Sequence, residues 1–335
     1  MPGTPAATAA RLLDEFDTYD QHVDVVSAFE WLFTDPGVKG LPATVAHFER
    51  FPRIPRAGGG VPLTPDFTVL FTDGTAIVGE IAKIALHDNS IERLCQQIAA
   101  YDALDRVPNA SGGLARVTTP DVLQLVRAQN GLSAVKRIVS DRCLDPAHPY
   151  KPSRAPIVAQ YSRTDTVYTF QRLPTPGNGT LAAPPGRAPN IAAYLDNDLP
   201  VKAQGFVAIK SRRAFINDPV APLYLATHLW TRTWPTEHGG ATEDITVAPR
   251  PTAAVLHQQY GHVRTSDVKR ALELLQAAGL ARSLKDGTWT VSRKMLGRAG
   301  DRDVHKIIAR RIGTGAKPRI ARPAATPQDA PATLF

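Results

Sequence analysis

The sequence predicts an α/β protein with a mixed central sheet flanked by helices, followed by a smaller helical domain that ends in a strand. Three patterns predict this class. Two runs of β-branched and aromatic residues are joined by Asp73-Gly74, which is typical of a tight hairpin. An amphipathic helix pattern follows at residues 87–104, and helical periodicity returns after residue 252. We therefore expect two ordered units in this chain of 335 residues.

The N-terminal part reads as helix followed by strand. Residues 1–10 are small and proline-bearing, so we expect them to be disordered. Apolar residues at helical spacing from Ala10 to Phe33 predict one or two helices. The segment 44–51, "TVAHFERF", predicts a strand or a short helix.

A hairpin and a covering helix come next. The runs "TPDFTVLF" and "TAIVGEIAKIA" predict adjacent antiparallel strands on either side of Asp73-Gly74. The following helix has one apolar stripe, formed by Ile91, Leu94, Ile98, Tyr101 and Leu104. Asn89 or Ser90 is suited to cap its start.

The remaining segments define the predicted domain boundaries. Residues 119–140 predict a strand or helix start followed by helix, and "APIVAQYS" and "DTVYTFQRL" predict two more strands. The first domain is thus placed at 11–173, before a proline- and glycine-rich linker or long loop at 174–190. A bridging α/β segment is placed at 191–250, in which "QGFVAIKS" predicts a buried strand. The same segment contains a predicted helix that begins near Asp218. Four of its apolar residues are expected to face a core: Leu223, Leu225, Leu229 and Trp230.

Composition indicates a basic protein of a reducing compartment. The formal net charge is +8, which favours polyanionic partners such as DNA. The two cysteines, Cys95 and Cys143, form no CxxC pair and no zinc-type spacing. No apolar run of about 18 residues appears and the N-terminus has no secretory pattern, so we expect a cytoplasmic protein without a membrane segment.

Two carboxylates and a lysine stand where phosphodiester hydrolysis would need them. Asp66 opens the first hairpin strand and Glu80 lies on the second, so both can reach one divalent cation. Lys83 can orient the attacking water or stabilise charge on the phosphate. The nine histidines are scattered without paired ligand spacing, and we predict none of them as a site residue.

This arrangement resembles the PD-(D/E)XK nuclease superfamily over roughly residues 20–110. The motif residues are Pro65-Asp66, the hairpin, Glu80 and Lys83. Glu30 resembles the glutamate that this family often carries on its leading helix, and Gln97 and Tyr101 match the QxxxY motif of its RecB-like members. The resemblance implies a restriction-endonuclease-like fold and a Mg²⁺- or Mn²⁺-dependent deoxyribonuclease. It implies that Asp66 and Glu80 hold the metal and that Lys83, Glu30, Gln97 and Tyr101 complete the catalytic set.

One departure from the family pattern leaves an alternative open. The family spaces acid and lysine as (D/E)-x-K, whereas "EIAK" places one more residue between Glu80 and Lys83. On a regular strand Lys83 would point away from Glu80 unless a β-bulge re-aims it. The alternative is therefore a catalytically inactive nuclease-fold protein that binds DNA as a regulator or assembly factor. The sequence also leaves open a homodimer or a protein partner.

The C-terminal segment 251–313 resembles a winged helix-turn-helix domain. It reads as helix, second helix, a turn at "KDG" and the strand "TWTV". Five basic residues are predicted to contact DNA phosphates: Arg264, Lys269, Arg270, Arg282 and Lys285. The alternative here is a protein-interaction domain. Residues 314–335 are rich in proline and alanine, and we expect them to be disordered.

Overall fold

The computed structural model describes most of the chain and divides it into two units. Gln21–Asp218 form the larger unit, and Met1–Asp20 with Pro219–Phe335 form the smaller one. The described residues are 4–38, 41–56, 59–82, 88–118, 120–175, 191–207, 209, 215–239, 244–293 and 303–314. Residues 176–190 and 315–335, for which the sequence predicts a loop and a disordered tail, lie outside these ranges, as does Lys83.

The larger unit is built on a mixed sheet of seven strands, which confirms the α/β class. Its strands are β1 (Val45–Arg50), β2 (Phe67–Phe71), β3 (Ala76–Ile81), β6 (Asp121–Arg127), β7 (Ile157–Thr164), β8 (Val167–Arg172) and β9 (Leu199–Lys202), while β4 (Arg106–Pro108) and β5 (Leu114–Arg116) form a separate hairpin. The sheet order is β1-β2-β3-β6-β7-β8-β9. The pairs β3/β6 and β6/β7 are parallel and the others antiparallel.

The hairpin between β2 and β3 forms as its sequence predicts. Gly74 adopts a φ of 82°, and the Asp73 carboxylate accepts hydrogen bonds from the Thr75 amide and hydroxyl at 3.1 and 2.8 Å. This local turn fixes the register in which Phe67 lies opposite Gly79. Asp66 thereby meets the end of the strand that carries Glu80.

Helices cover both faces of the sheet. Helix α1 (Pro5–Thr34) places Phe29 5.2 Å from Phe67 and 5.1 Å from Phe170 between ring centroids. Helix α2 (Asp88–Asp102) packs on the opposite face, where Ile91, Ile98 and Tyr101 join Val78 of β3 in one core. Strand alternation places Val78 and Glu80 on this α2 face.

The unit also contains short helical segments between its strands. They are α3 (Gly131–Ala134), a π-helical stretch at Val135–Cys143, α4 (Ile191–Asp196), α5 (Ala203–Phe206), and 3₁₀ turns at Pro42–Thr44 and Ala128–Asn130. Helix α2 and the separate β4/β5 hairpin connect β3 to β6, and these two strands lie side by side in the large sheet.

The smaller unit combines helices with a three-stranded antiparallel sheet. Its elements are α6 (Pro222–His228), a π-helical turn at Leu229–Thr233, α7 (Trp234–His238), β10 (Asp244–Val247), α8 (Pro249–Tyr260), α9 (Thr265–Ala277), β11 (Ala281–Ser283), β12 (Trp289–Ser292) and α10 (Val304–Gly313). The strand order is β10-β12-β11. Leu223, Leu225, Leu229 and Trp230 are buried, which confirms the predicted apolar face of this segment.

Three expectations differ from the structure. Residues 5–10, expected to be disordered, begin α1, because Pro5 suits a first helical turn and the alanines after it favour helix. Residues 204–206 of the predicted strand "QGFVAIKS" belong to α5, since a short apolar run is ambiguous between helix and strand. The units meet in sequence after Asp20 and after Asp218, not near 174–190, because β9 extends the large sheet and α6 packs against α9.

Among the helices that the structure describes, none is both long enough and apolar enough to cross a membrane.

Candidate functional site

Asp66 is fixed at the end of β3 by hydrogen bonds. Its Oδ2 accepts a hydrogen bond of 2.7 Å from the Ile81 amide, and its own amide donates to the Gly79 carbonyl at 3.1 Å. The side chain is 2% exposed. The buried Asp66 carboxylate is thus hydrogen-bonded to the residue that follows Glu80, and it is the first of the two carboxylates of the candidate site.

Glu80 is held by two side chains of helix α2. Gln97 Nε2 donates to Glu80 Oε1 at 3.0 Å, and the Tyr101 hydroxyl donates to Glu80 Oε2 at 3.0 Å. Gln97 also donates to the Tyr101 oxygen at 2.6 Å. The i,i+4 spacing on one helical face explains why both residues reach the same carboxylate. The predicted motif residues Gln97 and Tyr101 thus contact the predicted acid Glu80.

The electrostatics of this cluster oppose a charged Glu80. Burial raises the pKa of Glu80 well above its usual range, and the charge of Asp66 raises that pKa further. Hydrogen bonds from Tyr101 and Gln97 act in the opposite direction. The pKa of Tyr101 is raised, first by its burial and then by the charge of Glu80, so its hydroxyl stays a donor. Two neighbouring carboxylates whose charges repel form an environment that a bound cation would stabilise.

His22 is a site residue that the sequence prediction missed. Its Nε2 lies 2.8 Å from Asp66 Oδ1, and both side chains are buried. On α1 it stands four residues before Val26 and seven before Phe29, within a buried apolar stripe. A polar residue at a core position of an amphipathic helix is the signal that could have identified it.

Glu30 takes a different place from the one its motif suggested. Its Oε2 accepts a hydrogen bond of 3.0 Å from Arg50 Nη1, and the same nitrogen lies 3.3 Å from Ser27 Oγ. Along α1, Glu30 is eight residues beyond His22, a rise of about 12 Å. The α1 side chain that contacts Asp66 is therefore His22, while Glu30 forms an ion pair with β1.

A third carboxylate contributes to the field at Glu80. The charge of Asp218 is the smallest of the influences that raise the Glu80 pKa. Its neighbour Asn217 donates from Nδ2 to the Thr64 carbonyl at 2.8 Å, next to the Pro65-Asp66 segment. This approach joins residues 153 positions apart, so no local motif could have indicated it.

Lys83 lies outside the described residues, and its role stays a prediction. Strand β3 pairs with β6 in continuous register from Ile77 to Ile81, and the Ala82 amide donates to the Leu125 carbonyl at 2.8 Å. In the part of the chain that is described, no group of three or more His, Cys, Asp or Glu is arranged to hold a metal ion. Asp66 and Glu80, the two residues that the sequence predicts as cation ligands, therefore do not belong to a larger cluster of this kind in the described residues.

The five basic residues predicted to contact DNA belong to the smaller unit. Arg264 precedes α9, Lys269 and Arg270 lie on α9, Arg282 is on β11, and Lys285 is in the turn before β12. Arg264, Lys269, Arg270 and Lys285 are exposed, while Arg282 is partly buried. Arg270 is engaged in an ion pair with Asp267.

Comparison with known families, curated proteins and solved structures finds no match for this chain.

Proposed function

We propose that this protein is a Mg²⁺- or Mn²⁺-dependent deoxyribonuclease of the PD-(D/E)XK type. The observation that carries the proposal is the network in which Gln97 and Tyr101 both donate to Glu80, next to the buried Asp66. Motif residues read from separate segments of the sequence meet at one point of the fold. A restriction-endonuclease-like fold is supported by the order of α1, three strands, α2 and β6, which holds when the separate β4/β5 hairpin before β6 is set aside.

The donor set fits a hard divalent cation. Asp66 and Glu80 offer carboxylate oxygens, the ligand type that Mg²⁺ and Mn²⁺ prefer. The repulsion that raises the Glu80 pKa would be relieved by a cation between the two carboxylates. Such a cation, when bound, lowers the pKa of a water ligand and neutralises charge on a phosphate.

The protein side chains supply orientation and charge. Tyr101 and Gln97 hold both Glu80 oxygens, and their hydrogen bonds lower the pKa of this carboxylate against the effect of its burial. His22 and the Ile81 amide hold the two oxygens of Asp66. Glu80 is partly exposed whereas Asp66 is buried, so a phosphodiester would approach from the Glu80 side. Lys83 is assigned to the water or the phosphate by the motif alone.

The smaller unit is proposed to bind DNA in the manner of a winged helix. Its order of β10, α8, α9, β11 and β12, with a turn between the last two strands, supports that assignment. Lys269 is exposed on α9 and Lys285 is exposed in the turn, as phosphate contacts require. The same exposed basic residues favour the second candidate, a catalytically inactive nuclease-fold protein that binds DNA as a regulator or assembly factor.

Cleavage assays separate the two candidates. Plasmid and linear single- and double-stranded DNA are incubated with Mg²⁺ or Mn²⁺ and the wild type, Asp66→Asn or Glu80→Gln. Glu49→Gln is the matched control, because Glu49 is an exposed acid of the same sheet that pairs with His47. The nuclease predicts metal-dependent cleavage that both site variants lose and the control keeps. Salt-sensitive DNA binding without cleavage would favour the inactive protein.

A further inference from the structure

Next to Glu80 lies a buried glutamine whose side chain has no hydrogen-bond partner in the described part of the chain. Gln124 on β6 has 0% of its surface exposed. Its Oε1 and Nε2 are both buried and, among the residues that the structure describes, neither has a partner. Leaving a buried amide unpaired is energetically unfavourable, so its presence in a core calls for a physical reason.

The register of the sheet brings this amide to the candidate site. Gln124 is the parallel partner of Glu80 across β3 and β6, and neighbouring strands are about 4.8 Å apart. Paired residues of parallel strands project from the same face. Val122 and Val126, which flank Gln124 by two residues, lie in the core beneath α2 together with Val78. Gln124 therefore emerges on the α2 face, beside Glu80.

We infer that Gln124 is a further ligand residue of this site, whose carboxamide oxygen holds the divalent cation, directly or through a bound water, together with Glu80. This rests on the proposed function, which supplies the cation. Mg²⁺ takes six oxygen ligands and accepts amide oxygens and water beside carboxylates. A neutral ligand also adds no third negative charge to a cluster in which Asp66 and Glu80 already repel.

The inference explains why a polar side chain is kept in a costly place. The Gln124 amide is unpaired in the free protein and would be paired once the cation binds. It therefore destabilises the free protein relative to the cation-bound form. A purely structural glutamine would behave in the opposite way, because its loss would destabilise the free protein and leave cation binding unchanged.

The test measures cation binding rather than cleavage. Mn²⁺ affinity is determined by calorimetry, and the thermal midpoint is followed with and without Mn²⁺, for the full-length wild type, Gln124→Met and Gln124→Glu. Gln124→Met keeps the chain length and removes both polar atoms. Leu125→Met is the matched control, because Leu125 is the next residue, is fully buried and faces the other side of the sheet.

For Gln124→Met we expect the midpoint without metal to rise by roughly 2–4 °C, because an unpaired amide is replaced by an apolar group. We expect its Mn²⁺ affinity to fall about tenfold or more. Gln124→Glu restores an oxygen ligand, so it should bind Mn²⁺ better than Gln124→Met while having a lower midpoint without metal. Leu125→Met should leave the affinity unchanged.

Three results would overturn the inference, in distinguishable ways. If Gln124→Met binds Mn²⁺ as the wild type and Leu125→Met do, the role of Gln124 is wrong while the proposed function stands. If the wild type itself binds no Mn²⁺ and shows no midpoint shift, the metal-dependent function fails, and the role of Gln124 fails with it. Should Gln124→Met not fold, the inference is overturned, because it requires that variant to be stabilised.

Discussion

The Tyr101 hydroxyl donates to Glu80 Oε2 across 3.0 Å, so a side chain of helix α2 holds the carboxylate of a neighbouring strand. This bond lowers the pKa of Glu80 against the effects of burial and Asp66, which raise it. The protonation of the proposed metal ligand is therefore set partly by a residue that is itself uncharged.

Replacing Tyr101 by phenylalanine should move the acidic limb of the pH-rate profile. Without this donor the pKa of Glu80 rises further, so ionised Glu80 is lost at a higher pH. We expect the acidic limb of kcat/KM for DNA cleavage to shift upward in Tyr101→Phe. Tyr168→Phe is the control, because Tyr168 donates to Asp24 at 2.8 Å and is likewise buried. An unchanged limb in Tyr101→Phe would contradict the role given to this bond.

Glu80→Gln should stabilise the metal-free protein near neutral pH. The folded-state pKa of Glu80 is raised above its ordinary value near 4.5. The stability associated with this group is thus fully present below that value and is lost as the pH rises through the folded pKa. The thermal midpoints of wild type and Glu80→Gln, compared at pH 4.5 and pH 7.5 with a chelator, should diverge at the higher pH. A difference of equal size at both pH values would exclude this linkage.

The contact between His22 and Asp66 should appear as an energetic coupling. Both side chains are buried, so removing one partner leaves the other without its hydrogen bond. In urea denaturation of His22→Leu, Asp66→Ala and the double variant, we expect a coupling free energy of about 1–3 kcal/mol. His22→Gln, which keeps a donor, should lose less stability than His22→Leu. Strict additivity of the two single changes would show that the contact contributes nothing.

Gly79 is required by the aromatic packing beneath the site. A Cβ at this position would lie 2.1 to 2.4 Å from three atoms of the Phe67 ring, and Phe67 is itself enclosed by Phe29 and Phe48. We expect Gly79→Ala to reduce the free energy of unfolding by at least about 1–3 kcal/mol. Gly113→Ala is the control, since its added Cβ meets nothing closer than 3.7 Å. Equal stability of the two variants would mean that the Phe67 ring can move aside.

Charge removal on the smaller unit should weaken DNA binding in a salt-dependent way. Each phosphate contact releases counterions when DNA binds. The magnitude of the slope of log K against log salt should therefore be smaller by about one in Lys269→Gln, and by about one in Lys285→Gln, than in the wild type. The control is Lys136→Gln, whose ammonium group lies 3.1 Å from Asp141 in the larger unit. Fluorescence anisotropy with a labelled duplex measures the slopes. Unchanged slopes in both variants would favour the protein-interaction alternative for this unit.

The sequence predicts best where the signal is local. Asp73-Gly74 determines the hairpin, and the apolar stripe of α2 determines which face it turns to the sheet, so Gln97 and Tyr101 could be assigned to one face before any coordinates. The strand predicted at "QGFVAIKS" is wrong at residues 204–206, since its short apolar run does not distinguish strand from helix.

The site residues that the sequence missed are those that depend on distant pairing. His22 meets Asp66 across 44 positions of sequence, and Gln124, for which we infer a ligand role, is the partner of Glu80 in the parallel register of β3 and β6. Neither belongs to a short motif. For Glu30, the motif named the right helix, but Glu30 itself pairs with Arg50 on β1. Tertiary packing decides which face of α1 meets Asp66.

The outermost strands of the large sheet have a consequence for assembly. Strand β9 at one margin contains Pro200, which has no amide hydrogen to offer, and it ends in Lys202. Strand β1 at the other margin carries His47, Glu49 and Arg50. Proline and charged side chains on an edge strand hinder the pairing of strands from other molecules with the sheet. If two copies of this protein act on the two strands of a duplex, we expect them to associate through a surface other than these sheet margins.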